Sequence, residues 1–274
     1  MSTSESPKFI DIDKVFTDKN PGLRKFIPRF LIRYLKRITH QEEVNTFMDT
    51  IKHLHGIEYA EGIVNGFGVK YTIQGEENIP KDGRFVFAAN HPLGGMDGMI
   101  FVSAVGKYFK HLKFPVNDIL MNIKNLHSIF LPVNKHGGHS KEAAQMIDKA
   151  YASDEQVLMF PAGLVSRRKK HGIEDLEWKK NFIRKTINHK RTIIPVHISG
   201  QNTNFFYKLA NWRKRLGLKV NIEMLYLVDE MYKQKGKTIT ITFGEPITYE
   251  QLKNGTKADK WAQKIKDYVY GLKN

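Results

Sequence analysis

From residue 67 onward, short apolar runs alternate with longer amphipathic stretches, the pattern of strands exchanged with helices. "VKYTIQG" and "RFVFAAN" read as strands, separated by the turn-like "EENIPKDG". "GMIFVSAVGKYF" predicts a helix starting near Asp97. "SIFLPVN" predicts a short strand, and "HSKEAAQMIDKAYA" a helix with Ser140 at its N-cap position. "QVLMFPAG" and "RTIIPVHISG" are further buried strands, and "KTITITFGEPI" alternates cleanly as a late one. "KADKWAQKIKDYVYGLK" closes the chain as a helix. The fold class this predicts is α/β: a mixed, largely parallel sheet flanked by helices. There is no internal repeat and no low-complexity linker, and "GKT" at 236–238 lacks the upstream glycine of a P-loop.

Before residue 67 the period is helical. Residues 1–20 form an N-terminal arm, loose or locally ordered, and residues 21–62 amphipathic helices. In "PGLRKFIPRFLIRYLKRI", Leu23, Phe26, Ile27, Phe30, Leu31, Tyr34, Leu35 and Ile38 make one stripe, with six basic residues largely on the other side. Pro28 suits a helix start, and a second helix follows around Glu42 to Leu54. Two readings stand: the stripe packs on the core, or it lies in a membrane interface with its basic flank toward anionic lipid. Residues 63–274 form the α/β domain, expected to be one structural unit with 21–62.

Composition narrows the classes. With 41% hydrophobic residues in 274, the chain can bury a core and is not globally disordered. The absence of cysteine excludes disulfides, cysteine nucleophiles and thiolate metal sites and fits a cytoplasmic setting. A formal charge of +16 attracts polyanions: nucleic acid, anionic lipid or an acidic carrier protein. The first residues lack the pattern of a secretory signal, and no apolar window approaches the roughly 20 residues that span a bilayer. The expected location is peripheral, on the cytoplasmic face of a membrane.

Three strands stop abruptly at polar, glycine-bearing loops: "FVFAANHPLGG", "VLMFPAGLVSRRKK" and "TIIPVHISGQNTNFF". Ligands of open α/β sheets bind beyond the carboxyl ends of strands, so His91, Asp97, Ser166, Arg167 and Asn202 are expected to converge there. A hydroxyl becomes a competent nucleophile when a base removes its proton, and histidine is the usual base near neutral pH. A carboxylate on the other ring nitrogen fixes the tautomer and stabilises the imidazolium. Glycines bring backbone N–H groups close to a developing oxyanion. The competing reading of "NHPLGGMD" is a surface histidine near a helix-capping aspartate.

Taken together, "NHPLGGMD", "SIFLPVNK", "FPAGLVSR" and "IIPVHISG" resemble, in order and spacing, the four blocks of the lysophospholipid (glycerolipid) acyltransferase superfamily. The resemblance covers about residues 65 to 250 and is nearest to the branch called hemolysin-like acyltransferases, some of which are linked to O-acylation of ornithine or glycine lipids. It implies transfer of a fatty acyl chain from a thioester, on acyl carrier protein or coenzyme A, to a lyso-lipid hydroxyl at an anionic membrane surface. Neither a metal nor another cofactor is implied. His91 would be the base and Asp97 its partner. Asn90, Gly94, Gly95, Lys135, Phe160, Pro161, Gly163, Ser166 and Arg167 would bind substrate.

Three departures bear on the acceptor. Five residues, "PLGGM", separate His91 from Asp97, one more than the family's usual spacing, which the two glycines can absorb as a bulge. Ala162 stands where the family has glutamate, and Lys135 where it has arginine, so the forked phosphate contact is lost. Both point from glycerol phosphate toward an amino-acid lipid, whose carboxylate needs a cation that Lys135 and Arg167 can supply. Acylation of 1-acylglycerol 3-phosphate is the alternative. Specific nucleic-acid binding is not expected: the basic runs "SRRKKHG" and "NWRKRLGLK" carry no recognisable nucleic-acid motif. A lipid hydrolase is disfavoured because "GLVSRR" is not a nucleophile elbow.

Overall fold

The computed structural model of the chain describes residues 8–19, 27–133, 140–218 and 220–273. Its strands are, in chain order, β1 (Lys70–Gln74), β2 (Phe85–Ala89), β3 (Leu112–Val116), β4 (Phe130–Pro132), β5 (Gln156–Met159), β6 (Arg167–Lys169), β7 (Gly172–Glu174), β8 (Thr192–Ile198) and β9 (Thr238–Phe243). Seven of them make one sheet in the order β1-β9-β8-β2-β5-β3-β4. Every neighbouring pair is parallel except β8 with β9. The mixed, largely parallel sheet is therefore as expected. β6 and β7 pair as a separate hairpin, built from the basic run "SRRKKHG" and the two residues after it.

The chain opens with helices α1 (Ile12–Lys19), α2 (Arg29–Ile38), α3 (Gln41–Thr50) and α4 (Gly56–Gly66). Then come α5 (Gly95–Gly106) after β2, α6 (Ser140–Ala152) after β4, and α7 (Asn181–Asn188) after the hairpin. α8 (Asn204–Arg215) and α9 (Leu227–Tyr232) lie between β8 and β9, and α10 (Tyr249–Lys253) and α11 (Ala258–Gly271) end the chain.

β2 is the sheet's centre, with all five residues buried, as a strand covered on both faces must be. Phe87 and Ala89 face a core shared with Tyr59, Ile63 and Val64 of α4 and nearly the whole circumference of α5. Val86 and Ala88 face a second core with Phe182 and Ile183 of α7 and Ile265 and Val269 of α11. The period-2 alternation of β2 thus puts Asn90 on the second side and His91 on the first. Arg191, fully buried, ties the second layer down. Its guanidinium donates to the carbonyls of Tyr151 (2.7 Å), Ala150 (2.9 Å), Glu155 (2.8 Å), Phe85 (3.1 Å) and Ser153. It thereby satisfies the open C-terminal end of α6. Burial pushes its pKa down to about 10, with Arg84 adding to the effect.

α2 begins after Pro28, as the sequence predicts, but only Ile32 and Ile38 of it are buried. Phe30 and Leu31, assigned to the apolar stripe, are 67% and 39% exposed, while Ile32 lay outside that stripe. The next turn of the same stripe is fastened to the body: the Tyr34 hydroxyl meets that of Tyr226 at 2.5 Å. Beyond its end, His40 bonds Asp229 at 2.9 Å and stacks on Tyr232.

Candidate active site

The turn between β2 and α5 holds the predicted pair. His91 Nδ1 lies 3.0 Å from Asp97 Oδ2. Asp97 is fully buried at the third position of α5, and the same oxygen accepts the backbone N–H groups of Leu93 (2.7 Å) and Gly94 (3.2 Å). One carboxylate thus caps the helix, closes the turn and fixes the imidazole. Facing a carboxylate, Nδ1 carries the ring proton and Nε2 is left as the acceptor. The imidazole stacks on Phe160 at 4.0 Å, with 14° between the rings. Phe160 in turn packs on Phe101 and Phe114, so the base stands on an aromatic floor.

Beneath the turn lies a second buried carboxylate that sequence reasoning missed. Asp175 Oδ1 accepts the Ser166 hydroxyl (2.6 Å) and the His91 backbone N–H (3.2 Å), and its Oδ2 accepts the Trp178 indole N–H (2.9 Å). The Asp175 N–H itself donates to the Tyr270 hydroxyl at 2.7 Å. Burial and this carboxylate push the Tyr270 pKa up. The segment "GIEDLEW" carries no apolar period or motif that marks Asp175; the aspartate three residues before a tryptophan is the only local sign.

Several expected substrate contacts have other partners. Asn90 prolongs the β2–β8 pairing through its side chain, giving Nδ2–H to Ile198 O (2.9 Å) and accepting Ile198 N–H (2.7 Å). Ser166 is buried, its backbone N–H donating to His91 O at 2.7 Å and its hydroxyl, given to Asp175, lying 3.1 Å from the same carbonyl. It ties the turn to Asp175. Arg167 turns away to Glu223 (2.9 Å), which also holds Arg213 at 2.9 Å. Burial lowers the Arg167 pKa, with Glu223 opposing. The N–H groups of Leu93 and Gly94 belong to Asp97 and are not oxyanion donors.

Gly94 and Gly95 serve packing: a Cβ there would stand 2.8 Å from Leu227 Cδ2 and 2.7 Å from Met231 Sδ of α9. Of the expected Phe160, Pro161 and Gly163, Phe160 stacks on the base, and all three lie in a turn closed by Gly163 N–H to Phe160 O at 2.9 Å. Ala162 is buried within that turn, and Lys179 Nζ lies 3.0 Å from where a Gly163 Cβ would be. Asn202 is buried, its N–H donating to the Tyr207 hydroxyl at 3.0 Å. Lys135 lies outside the described residues.

A cleft of about 690 Å³ opens on the other side of the same turn, lined by Pro92, Ser166, Arg168, His197, Tyr270 and Lys273 among others. The His91 ring does not line it. His197 faces this second side; burial, with Lys273 nearby, lowers its pKa to about 4. Among the described residues no group of three or more His, Asp or Glu side chains could hold a metal ion. No described helix is long and apolar enough to cross a membrane.

The chain is 44% identical over 271 residues to the lyso-glycine lipid O-acyltransferase of Bacteroides thetaiotaomicron, covering 98% of this chain and all of that one. The Phocaeicola vulgatus protein of the same name is 43% identical, with 98% and 97% covered. A 1-acyl-sn-glycerol-3-phosphate acyltransferase of Borreliella burgdorferi is 27% identical over 66% of this chain and 71% of its own. The crystal structure of the 1-acyl-sn-glycerophosphate acyltransferase of Thermotoga maritima shares the fold, with a TM-score of 0.51 at 18% identity, covering 94% of this chain and 89% of that one. The acyltransferase family model matches residues 14–274, and with relatives this similar along their full length the chain belongs to the acyltransferase family.

Proposed function

We propose that this acyltransferase moves a fatty acyl chain from an acyl thioester, on acyl carrier protein or coenzyme A, to the hydroxyl of a lyso-glycine lipid, with His91 as general base. The observation that carries the reading is the buried Asp97 held against His91 Nδ1 at 3.0 Å. As the acceptor oxygen bonds to the thioester carbonyl carbon, its proton passes to Nε2, and Asp97 stabilises the imidazolium. Collapse of the tetrahedral adduct breaks the carbon–sulfur bond, and the departing thiolate takes the proton from Nε2. No covalent acyl-enzyme and no metal enter this scheme.

The acceptor rests on the two relatives named for lyso-glycine lipid and on the family glutamate position being the buried Ala162. The cation assigned to the headgroup carboxylate is Lys179, whose Nζ lies 3.0 Å from where a Gly163 Cβ would stand in the Phe160 turn. The enzyme works on the cytoplasmic face of a membrane, attached through the exposed Phe30 and Leu31 of α2 among Arg29, Arg33 and Arg37. The test is a comparison of initial rates with one acyl donor and either lyso-glycine lipid, lyso-ornithine lipid or lysophosphatidate. Lyso-glycine lipid is expected to be fastest, and Lys179→Met to raise its KM more than it lowers kcat. A preference for lysophosphatidate would overturn the acceptor.

A further inference from the structure

Of the twelve large hydrophobic side chains exposed among the described residues, eight lie in α2 or between residues 205 and 225. That clustering is not the scatter expected of an ordinary surface. On α8 and at the residue that ends it, Phe205, Trp212 and Leu216 are 48%, 56% and 54% exposed. Their spacing of seven and four residues puts them on one stripe, away from the buried Phe206, Tyr207 and Ala210. The chain then continues through Leu218, Val220 and Leu225, which are 44%, 73% and 50% exposed.

This surface joins that of α2. The Tyr226 ring meets Phe205 at 5.0 Å between centroids, and its hydroxyl meets Tyr34 of α2. Exposed cations flank both parts: Lys208, Lys214 and Arg215 on α8, Arg29, Arg33 and Arg37 on α2. The neighbouring acids are engaged internally. Glu223 is held by Arg167 and Arg213, Asp229 by His40 and Lys233, and Glu230 accepts the Thr203 N–H and hydroxyl at 2.6 Å each. What faces solvent is apolar and positive.

We propose that the α8 stripe and the turn following it form, together with Phe30 and Leu31, a single surface that docks on an anionic lipid bilayer. This rests on the membrane attachment of α2 proposed above and adds a second contact far along the chain. A bilayer fits better than a protein partner because a tryptophan and aliphatic tips stand among lysine and arginine, the composition of an interfacial helix. Trp212 would then sit at the boundary of headgroups and acyl chains.

The experiment uses the full chain and its own three tryptophans: Trp178 is buried, Trp261 half-buried and Trp212 exposed, and the difference from the Trp212→Phe variant isolates the Trp212 signal. Vesicles of phosphatidylglycerol and phosphatidylcholine with brominated acyl chains should quench Trp212, and high salt should reverse this. A Val220→Glu/Leu225→Glu variant, folded by circular dichroism, should partition about 100-fold less, taking about tenfold for each side chain. Phe30→Glu/Leu31→Glu should lose a similar amount. If vesicles bind the chain but Trp212 stays unquenched, or the 220/225 variant binds like the parent, the α8 surface is rejected while the α2 attachment stands. No vesicle binding at all rejects both. A Trp212 response to acyl carrier protein or to self-association, without one to lipid, assigns the surface to a protein partner and rejects the bilayer.

Discussion

Asp97→Asn is the substitution that bears most directly on the catalytic reading. The amide is nearly isosteric, so its oxygen can keep the contacts that Oδ2 makes to Leu93 N–H, Gly94 N–H and His91 Nδ1. Its NH₂ would then occupy the place of Oδ1, which is buried with no hydrogen-bond partner among the described residues. An unpaired buried amide costs about 1–3 kcal/mol, so the variant folds with reduced stability. The larger loss is electrostatic. An imidazolium and a carboxylate about 4 Å apart attract by about 4 kcal/mol at an effective dielectric constant near 20. Removing that charge from the transition state lowers kcat by about 10³-fold, at about 1.4 kcal/mol per decade. KM for both substrates should change little, because the interaction strengthens only as the proton arrives. The assay is steady-state transfer of a radiolabelled acyl group, with folding checked by thermal denaturation. A folded Asp97→Asn protein with kcat within about threefold of the parent would refute the pairing as the source of basicity. His91 would then be a structural residue of the turn.

Asp175→Asn places an amide NH₂ against the Ser166 hydroxyl, the His91 N–H or the Trp178 N–H. It should lower kcat about 10–100-fold through a misplaced His91 backbone, with the pKa of the pH–rate profile unmoved. Arg191→Met leaves the carbonyls at the end of α6 without their donor, and chemical denaturation should show a loss of about 3 kcal/mol or more. His197 has its folded pKa lowered from 6.5 to about 4, so the unfolded chain binds the extra proton and stability falls as pH drops from 6.5 toward 4. Between pH 7 and pH 5 the parent should lose about 2 kcal/mol more than His197→Gln, as read from denaturation midpoints.

Periodicity showed the central strands because burial on both faces leaves only apolar residues in β2 and an apolar run, Ile193 to Val196, in β8, and burial on one face leaves the alternation of β9. It did not show α4, whose "GIEYAEGIVNG" has glycines at both ends and one inside, although Tyr59, Ala60, Ile63 and Val64 are its buried face. β3 was hidden by Pro115. A proline is tolerated there because pairing with β5 stops at Lys113, and only β4 lies beside residues 114–116. The base and its carboxylate were legible because they share one turn. Asp175 and Glu223 were not, since they act on His91 and Arg167 from 84 and 56 residues away. For α2, the amphipathic pattern was visible in the sequence, but which residues meet the protein depends on Tyr226 and Asp229.

The segment from Leu225 to Met231 touches the proposed bilayer surface, α2 and the catalytic turn within seven residues. Leu225 points outward, Tyr226 bonds Tyr34, Leu227 covers Gly94, and Met231 covers Gly95. Gly94→Ala tests whether this lid shapes the turn. Gly94 has φ of +87°, where a side chain costs about 1–2 kcal/mol. Its new Cβ would also stand 2.8 Å from Leu227 Cδ2, adding about 1–3 kcal/mol of overpacking. Leu227→Ala removes the colliding methyl groups but not the backbone cost. In a double-mutant cycle the pair should therefore be less destabilised than the sum of its singles by about 1 kcal/mol or more. The acyl-transfer rate should recover in the same variant, because Leu227 no longer displaces the N–H groups that hold Asp97. Additive stabilities and rates would mean that α9 merely lies over the turn. Recovery of both would make Leu227 the point where a helix fastened to the proposed bilayer surface sets the geometry of the base.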